Sequence, residues 1–320
     1  MPVRPKGEQV REQILSETTD GSRKDFGIPA PGYRLPQDTA VGVVRLQVSE
    51  LDRSLDYYGH VLGLRPRVRT ADTAALVPGD DTRPLVELHA KPGTRPAPRG
   101  GALGLFHFAI LLPDRPSLAS FVAHLRDLRV YAGMSDHAVS EAVYLTDPDG
   151  LGIEVYADRP RSAWQVEKDR QLVMTTIPLD VRSLAKAAAE REWTGMPRGT
   201  VMGHVHLHVG DLQAAEHFYH SALGFDKVVW SYPGALFFSA GGYHHHVATN
   251  TWSSGAPATE HHARLLSWDL VLPREQDVAD AARSLDGAGY AVRHEPGVLT
   301  TADPWGTRLH VRAVTPISFL

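Results

Sequence analysis

The chain has 320 residues, 42% of them hydrophobic, which is enough apolar side chain to bury a core in two domains or one large one. Its 33 basic and 37 acidic residues give a formal net charge of −4, so the polybasic surface that phosphate-backbone binding requires is not expected, and nor is a nucleic-acid partner. With no cysteine, disulfides and thiolate metal sites are excluded, and a metal would have to be held by carboxylates and the 17 histidines. No run of about 18 apolar residues occurs, and residues 1–11 are rich in Pro and charge without an apolar stretch. A cytoplasmic protein with no membrane contact is the expectation.

In chain order, residues 1–38 read as an N-terminal extension. Val41-Gly-Val-Val-Arg-Leu-Gln-Val48 alternates as a strand, and Ser49 is a candidate cap for an amphipathic helix that carries Tyr58 and Leu62 and stops at Gly63. A second strand, Leu105-Phe-His-Phe-Ala-Ile-Leu-Leu112, opens the next unit, which contains the Asp147-Pro-Asp-Gly150 turn. A Pro- and charge-rich linker spans 160–198. The pattern then returns: Met202-Gly-His-Val-His-Leu-His-Val209 echoes the first strand, Asp211 takes the capping position, and Tyr219, Leu223 and Gly224 repeat Tyr58, Leu62 and Gly63 at the same offset. Leu265-Leu-Ser-Trp-Asp-Leu-Val-Leu272 and Asp303-Pro-Trp-Gly306 repeat the second unit. Four modules result, each a strand, a helix and three further strands. They are expected to pair as an N-terminal domain (39–159, modules one and two) and a C-terminal domain (199–320, modules three and four).

Strand parity tests which polar residues can meet, because alternate residues face opposite sides of a sheet. If Val205, Leu207 and Val209 pack on a helix, then His204, His206 and His208 share the concave face. Likewise Phe106, Phe108 and Ile110 facing the helix leave His107 concave, and Ile153 and Val155 facing it leave Glu154 and Tyr156 concave. Two imidazoles and a carboxylate with open coordination positions form the facial triad of non-haem Fe(II) oxygenases. A lone strand histidine is more often structural, and that reading stands for His206 and His208.

Residues 135–154, Ser-Asp-His-Ala-Val-Ser-Glu-Ala-Val-Tyr-Leu-Thr-Asp-Pro-Asp-Gly-Leu-Gly-Ile-Glu, place His137, Tyr144 and Glu154 around the tight turn. This stretch resembles the extradiol ring-cleavage dioxygenases of the vicinal-oxygen-chelate superfamily, whose pattern runs His, a short spacer, an apolar residue, Tyr, then Asp-Pro-x-Gly and a metal-binding Glu. Ser135 departs from it, standing where the family usually has Gly, Asn, Thr or a small aliphatic. The resemblance covers about residues 38–315 and implies an α+β fold of four βαβββ modules. By alignment it makes His204 of module three, and His107 and Glu154 of module two, the ligands of Fe(II), with Mn(II) as the alternative. Val43, Ser267 and His310 hold the equivalent positions in modules one and four, which therefore look catalytically empty. Modules two and three must then share one concave cup.

In Gly241-Gly-Tyr-His-His-His-Val-Ala-Thr-Asn-Thr-Trp252 the same resemblance selects His245 as the distal acid-base residue, with His246 its nearest competitor because registry in a triple His is ambiguous. Strand alternation would turn His244 and His246 away from the metal. Trp252 and Tyr243 could wall the pocket or pack the core. The implied activity is cleavage of catechol or a substituted catechol by O2 to a 2-hydroxymuconic-semialdehyde-type product, with Tyr144 and His137 orienting the ring, in a homo-oligomer. A glyoxalase-like isomerase or lyase is one competitor, although such sites typically hold two carboxylates and one aligned Glu is found here. A non-catalytic protein that sequesters aromatic ligands is the other.

Overall fold

The structure, a computed structural model, describes residues 25–98, 102–187 and 192–314. Module one comprises β1 (Ala40–Val48), α1 (Leu51–His60), β2 (Leu64–Arg69), β3 (Thr73–Pro78) and β4 (Val86–Ala90). Module two follows as β5 (Gly104–Leu111), α2 (Arg115–Asp127), β6 (Gly133–Asp136), β7 (Ser140–Thr146) and β8 (Gly152–Asp158). The linker contributes β9 (Ile177–Pro178) and α3 (Val181–Ala187). Module three is β10 (Val201–His208), α4 (Leu212–Glu216) widening into the π-helical turn His217–Ala222, β11 (Asp226–Val229), β12 (Ala235–Ser239) and β13 (Val247–Asn250). Module four is β14 (Arg264–Leu272), α5 (Glu275–Gly287), β15 (Arg293–Glu295), β16 (Val298–Ala302) and β17 (Arg308–Ala313). Each module is thus a βαβββ unit, and the fold is α+β.

The helix ends follow local chemistry. Asp211 accepts a hydrogen bond from Ala214 N at 2.7 Å, and Asp114 does the same for Ser117 N at 2.8 Å. Ser49 does not cap α1, whose N-cap is Glu50 without a side-chain bond. Instead Ser49 donates its backbone N–H and its hydroxyl to the two carboxylate oxygens of Asp149, at 2.8 and 2.7 Å, binding module one to the turn of module two.

The sheets cross the linker. One runs β15-β16-β17-β14-β1-β4-β3-β2 and joins modules four and one; the other runs β11-β12-β13-β10-β5-β8-β7-β6-β9 and joins three and two. Each sheet therefore takes one module from each half of the chain, with β1–β14 and β10–β5 as antiparallel seams. Within each half, the repeated tyrosine holds the repeated turn. Tyr58 of α1 donates to Asp147 at 3.2 Å and Tyr219 donates to Asp303 at 3.0 Å. Each aspartate also accepts two backbone N–H groups of its own turn, from Asp149 and Leu151 in one case and Trp305 and Thr307 in the other. Burial, opposed by these bonds, leaves Asp147 pushed up to about 6. That balance explains why Tyr, Asp and Gly recur together in the sequence.

Parity holds for most of the core. Val205, Leu207, Val209, Phe108, Ile110, Ile153 and Val155 are all fully buried in one apolar cluster. Phe106 is the exception, because His206 pairs with His107 while Leu207 pairs with Leu105, leaving Phe106 as an extra residue in a β-bulge. The bulge turns its ring onto the same side as His107, against His206, His208 and Trp252. A matching irregularity on β10 falls at Gly203, where any Cβ would lie 1.8 Å from the Tyr156 hydroxyl. Glycine is required there by that close approach.

Candidate metal centre and active site

At the β10–β5 seam, one potential ligand atom each from His204, His107 and Glu154 lies within 4.8 Å of the others, and all three residues are buried. His107 Nε2 is 3.0 Å and His204 Nε2 is 3.3 Å from the same carboxylate oxygen, Glu154 Oε2. Despite that approach, His107 Nε2 has no hydrogen-bond partner among the described residues, and neither does His204 Nδ1. The orphaned His107 Nε2 therefore faces the cluster without being satisfied by it, whereas the orphaned His204 Nδ1 is the ring nitrogen that does not approach Glu154. An unpaired buried polar group costs roughly 1–3 kcal/mol, so such a cluster calls for an occupant. Two imidazole nitrogens and one carboxylate oxygen, with no thiolate, suit a divalent iron or manganese ion.

The electrostatics favour the ligating protonation states. Burial alone would raise Glu154, but the His204 and His107 rings overcome it and hold the carboxyl well below its usual range. Burial brings His204 down to about 4 against the pull of Glu154, so its ring is neutral at pH 7. A residue that is to hold a metal must carry a free lone pair, and both residues then could.

These three residues border a cavity of about 270 Å³. Tyr144, across the β7–β8 ladder from Glu154, points its hydroxyl to Nε2 of His137 at 2.6 Å, and Nδ1 of His137 donates to Thr175 O at 2.6 Å. Burial and the Glu154 charge keep the Tyr144 phenol well above its ordinary value, so it is a standing proton donor. His137 is presented by a tight turn in which Ala138 takes φ 66° and donates to Asp136 at 2.9 Å.

The histidine tract precedes β13 as a bend, so strand alternation does not govern it. His245 lines the cavity, its ring centroid 4.0 Å from that of His204 and 5.1 Å from Phe237, and burial holds it well below the ordinary histidine value. His246 turns elsewhere: its Nδ1 accepts the Ala240 N–H at 3.2 Å and its ring stacks on Phe225. His244 lies beneath His245 with the two Nδ1 atoms 2.7 Å apart, where alternation would have separated them. Trp252 walls the cavity, whereas Tyr243 packs on Trp164 and hydrogen-bonds Tyr156. His206 and His208 both reach Asn250, at 2.8 and 2.7 Å.

Several lining residues carry no motif. Met174, Thr175 and Thr176 come from the linker, and Tyr232 from the loop between β11 and β12. Only the apolar, β-prone character of the linker around 172–178 could have hinted that it joins a sheet edge. In the other sheet, where module three has His206, module one has Arg45, which pairs with Asp269 at 2.5 Å and Glu87 at 2.8 Å. His310 and Arg312 also lie against Asp269, at 3.4 and 3.1 Å.

Comparison with known proteins gives this architecture its family. Residues 40–155 and 201–310 match the Glyoxalase/Bleomycin resistance protein/Dioxygenase superfamily, and the chain belongs to it. It is similar to the catechol-2,3-dioxygenase of Bacillus subtilis (strain 168), with 41% identity over 272 residues, covering 84% of this chain and 95% of that protein. Among solved structures, a putative dioxygenase from Bacillus subtilis subsp. subtilis str. 168 superposes with a TM-score of 0.60 at 13% identity, over 89% of this chain and 87% of that one. Glyoxalase I from Zea mays gives 0.51 at 16% identity, over 86% and 92%. At these identities the two structures speak to the fold alone. Among the described residues no helix is long and apolar enough to cross a membrane.

Proposed function

We propose that this chain is an Fe(II)-dependent extradiol dioxygenase that opens catechol or a substituted catechol beside the diol to a 2-hydroxymuconic-semialdehyde-type product. The observation that carries the reading is the buried His107–His204–Glu154 cluster, internally unsatisfied and bordering a cavity flanked by Tyr144–His137 and His245. The likeness to a catechol-2,3-dioxygenase supports it. The metal, when bound, supplies chelation of the diol and electron transfer between the ring and dioxygen. The protein supplies position and protons. The Tyr144 oxygen, whose one hydrogen is given to Nε2 of His137, can accept a hydrogen bond from a diol hydroxyl, so a proton leaving the diol can pass through Tyr144 to His137, which is anchored on Thr175 O. His245 is a neutral imidazole on the other flank, able to take a proton and return it. Phe106, Phe237 and Trp252 keep the ring in an apolar slot.

The test is anaerobic purification with metal analysis, then a catechol panel in air. Iron at one per chain and a yellow ring-opened semialdehyde are expected. A colourless cis,cis-muconate as sole product would refute extradiol cleavage, and stoichiometric manganese would replace the metal assignment. A glyoxalase-type reaction has less support, since Glu154 is the one carboxylate in the cluster.

Trp252 is 48% exposed and lines both this cavity and a larger cleft of about 1180 Å³ beside it. Trp252→Ala should therefore raise kcat/KM for bulky ring-substituted catechols relative to catechol itself. An unchanged ratio across the panel would mean that substituents leave by another path.

A further inference from the structure

His245 does not stand alone. Its Nδ1 lies 2.7 Å from Nδ1 of His244, whose Nε2 lies 3.0 Å from Oδ1 of Asp158 at the end of β8. His244 is fully buried, its ring 4.1 Å from Tyr243, 5.6 Å from Trp164 and 5.8 Å from Tyr156. Packed on those faces, it has no room to turn out of line. Asp158 is held in turn by the Tyr243 hydroxyl at 3.2 Å, which is itself 2.7 Å from the Tyr156 hydroxyl.

Counting donors sets the direction of this chain. An ionised carboxylate only accepts, so Nε2 of His244 carries a hydrogen. With that hydrogen on Nε2, Nδ1 of His244 can serve as the acceptor, and its contact with His245 is then a hydrogen bond that His245 donates from Nδ1. His245 is thereby left with an unprotonated Nε2 as its remaining polar atom, on a ring that lines the cavity. We propose that Asp158 and His244 are positioning residues that lock His245 in its Nδ1–H form, so that the bare Nε2 is what the cavity meets. The inference rests on the reading of His245 as the acid-base residue. Glu154 and Asp158 lie four residues apart on one strand, so β8 would supply both a metal ligand and the anchor of the base.

The decisive variant is Asp158→Asn, because an amide can turn its NH2 toward Nε2 of His244 and reverse every donor along the chain. The expected result is a fall in kcat of about 10²-fold with KM and iron content unchanged, largely restored in Asp158→Glu. A readout independent of turnover is the two-bond 1H–15N spectrum of histidine-labelled protein loaded with diamagnetic Zn(II). The parent should show His245 as the Nδ1–H form and Asp158→Asn should convert it to Nε2–H. An Nε2–H form in the parent, or an Asp158→Asn variant with the parent's spectrum and kcat, would overturn the proposal. Because the spectrum reports the tautomer whether or not catechol is cleaved, failure of the dioxygenase reading would be seen separately, as an absence of product from the parent.

Discussion

Replacing His107, His204 or Glu154 by alanine should abolish iron retention, and ring cleavage with it, whereas His310→Ala should purify with the parent's iron content. The first three contribute the clustered atoms, and if they hold the metal as proposed, removing one leaves a two-ligand site in a buried cavity. Loss of Glu154 has a second cost, because its charge is what balances the cation between two neutral rings. His310 occupies the corresponding strand position in the other sheet, but it lies against Asp269, which also binds Arg45 and Arg312. A positive guanidinium where module three has a histidine repels a cation. Metal analysis of the four purified variants decides the matter, and stoichiometric loss of iron in His310→Ala would show that the metal sits in the wrong pair of modules.

The histidine and carboxylate positions were legible because they depend on parity within single strands. His204, His107 and Glu154 each alternate with residues that form an apolar face, and the two-residue period of a strand fixes that without knowledge of the partner strand. The pairing of modules two and three followed only indirectly, from which modules lacked ligands. Nothing in a linker's composition says that the two sheets each draw from both halves. Phe106 escaped for a different reason: a bulge is a property of two strands in register, so one strand's alternation cannot show it. Ser49 looked like a cap because its side chain suits one, but the buried Asp149 of the next module competes for the same hydroxyl and backbone N–H. His244 and His246 were expected to face away from the metal by strand alternation; neither lines the cavity, but the bend before β13 brings His244 Nδ1 to 2.7 Å from that of His245, a contact alternation does not foresee. In each of these cases the deciding contact is long-range, and sequence periodicity is local.

The second large effect concerns the proposed base, His245. His245→Phe should keep iron and catechol affinity but lose turnover, by on the order of 10²-fold or more if general acid-base catalysis is its task. Phenylalanine fills the ring's place against His204 and Phe237, so the proposed metal-binding residues stay packed while the ring nitrogens are lost. His246→Ala should behave in the opposite way. Its imidazole accepts the Ala240 N–H and stacks on Phe225, away from the cavity, so removal leaves a buried donor unpaired and opens a void. The expected cost is stability of roughly 1–3 kcal/mol, read as a lower midpoint in denaturant, with kcat near that of the parent. Measuring both quantities on both variants separates chemistry from packing. A collapse of kcat in His246→Ala beside a near-normal His245→Phe would move the base by one residue, and with it the argument that His245 is held from behind by His244 and Asp158.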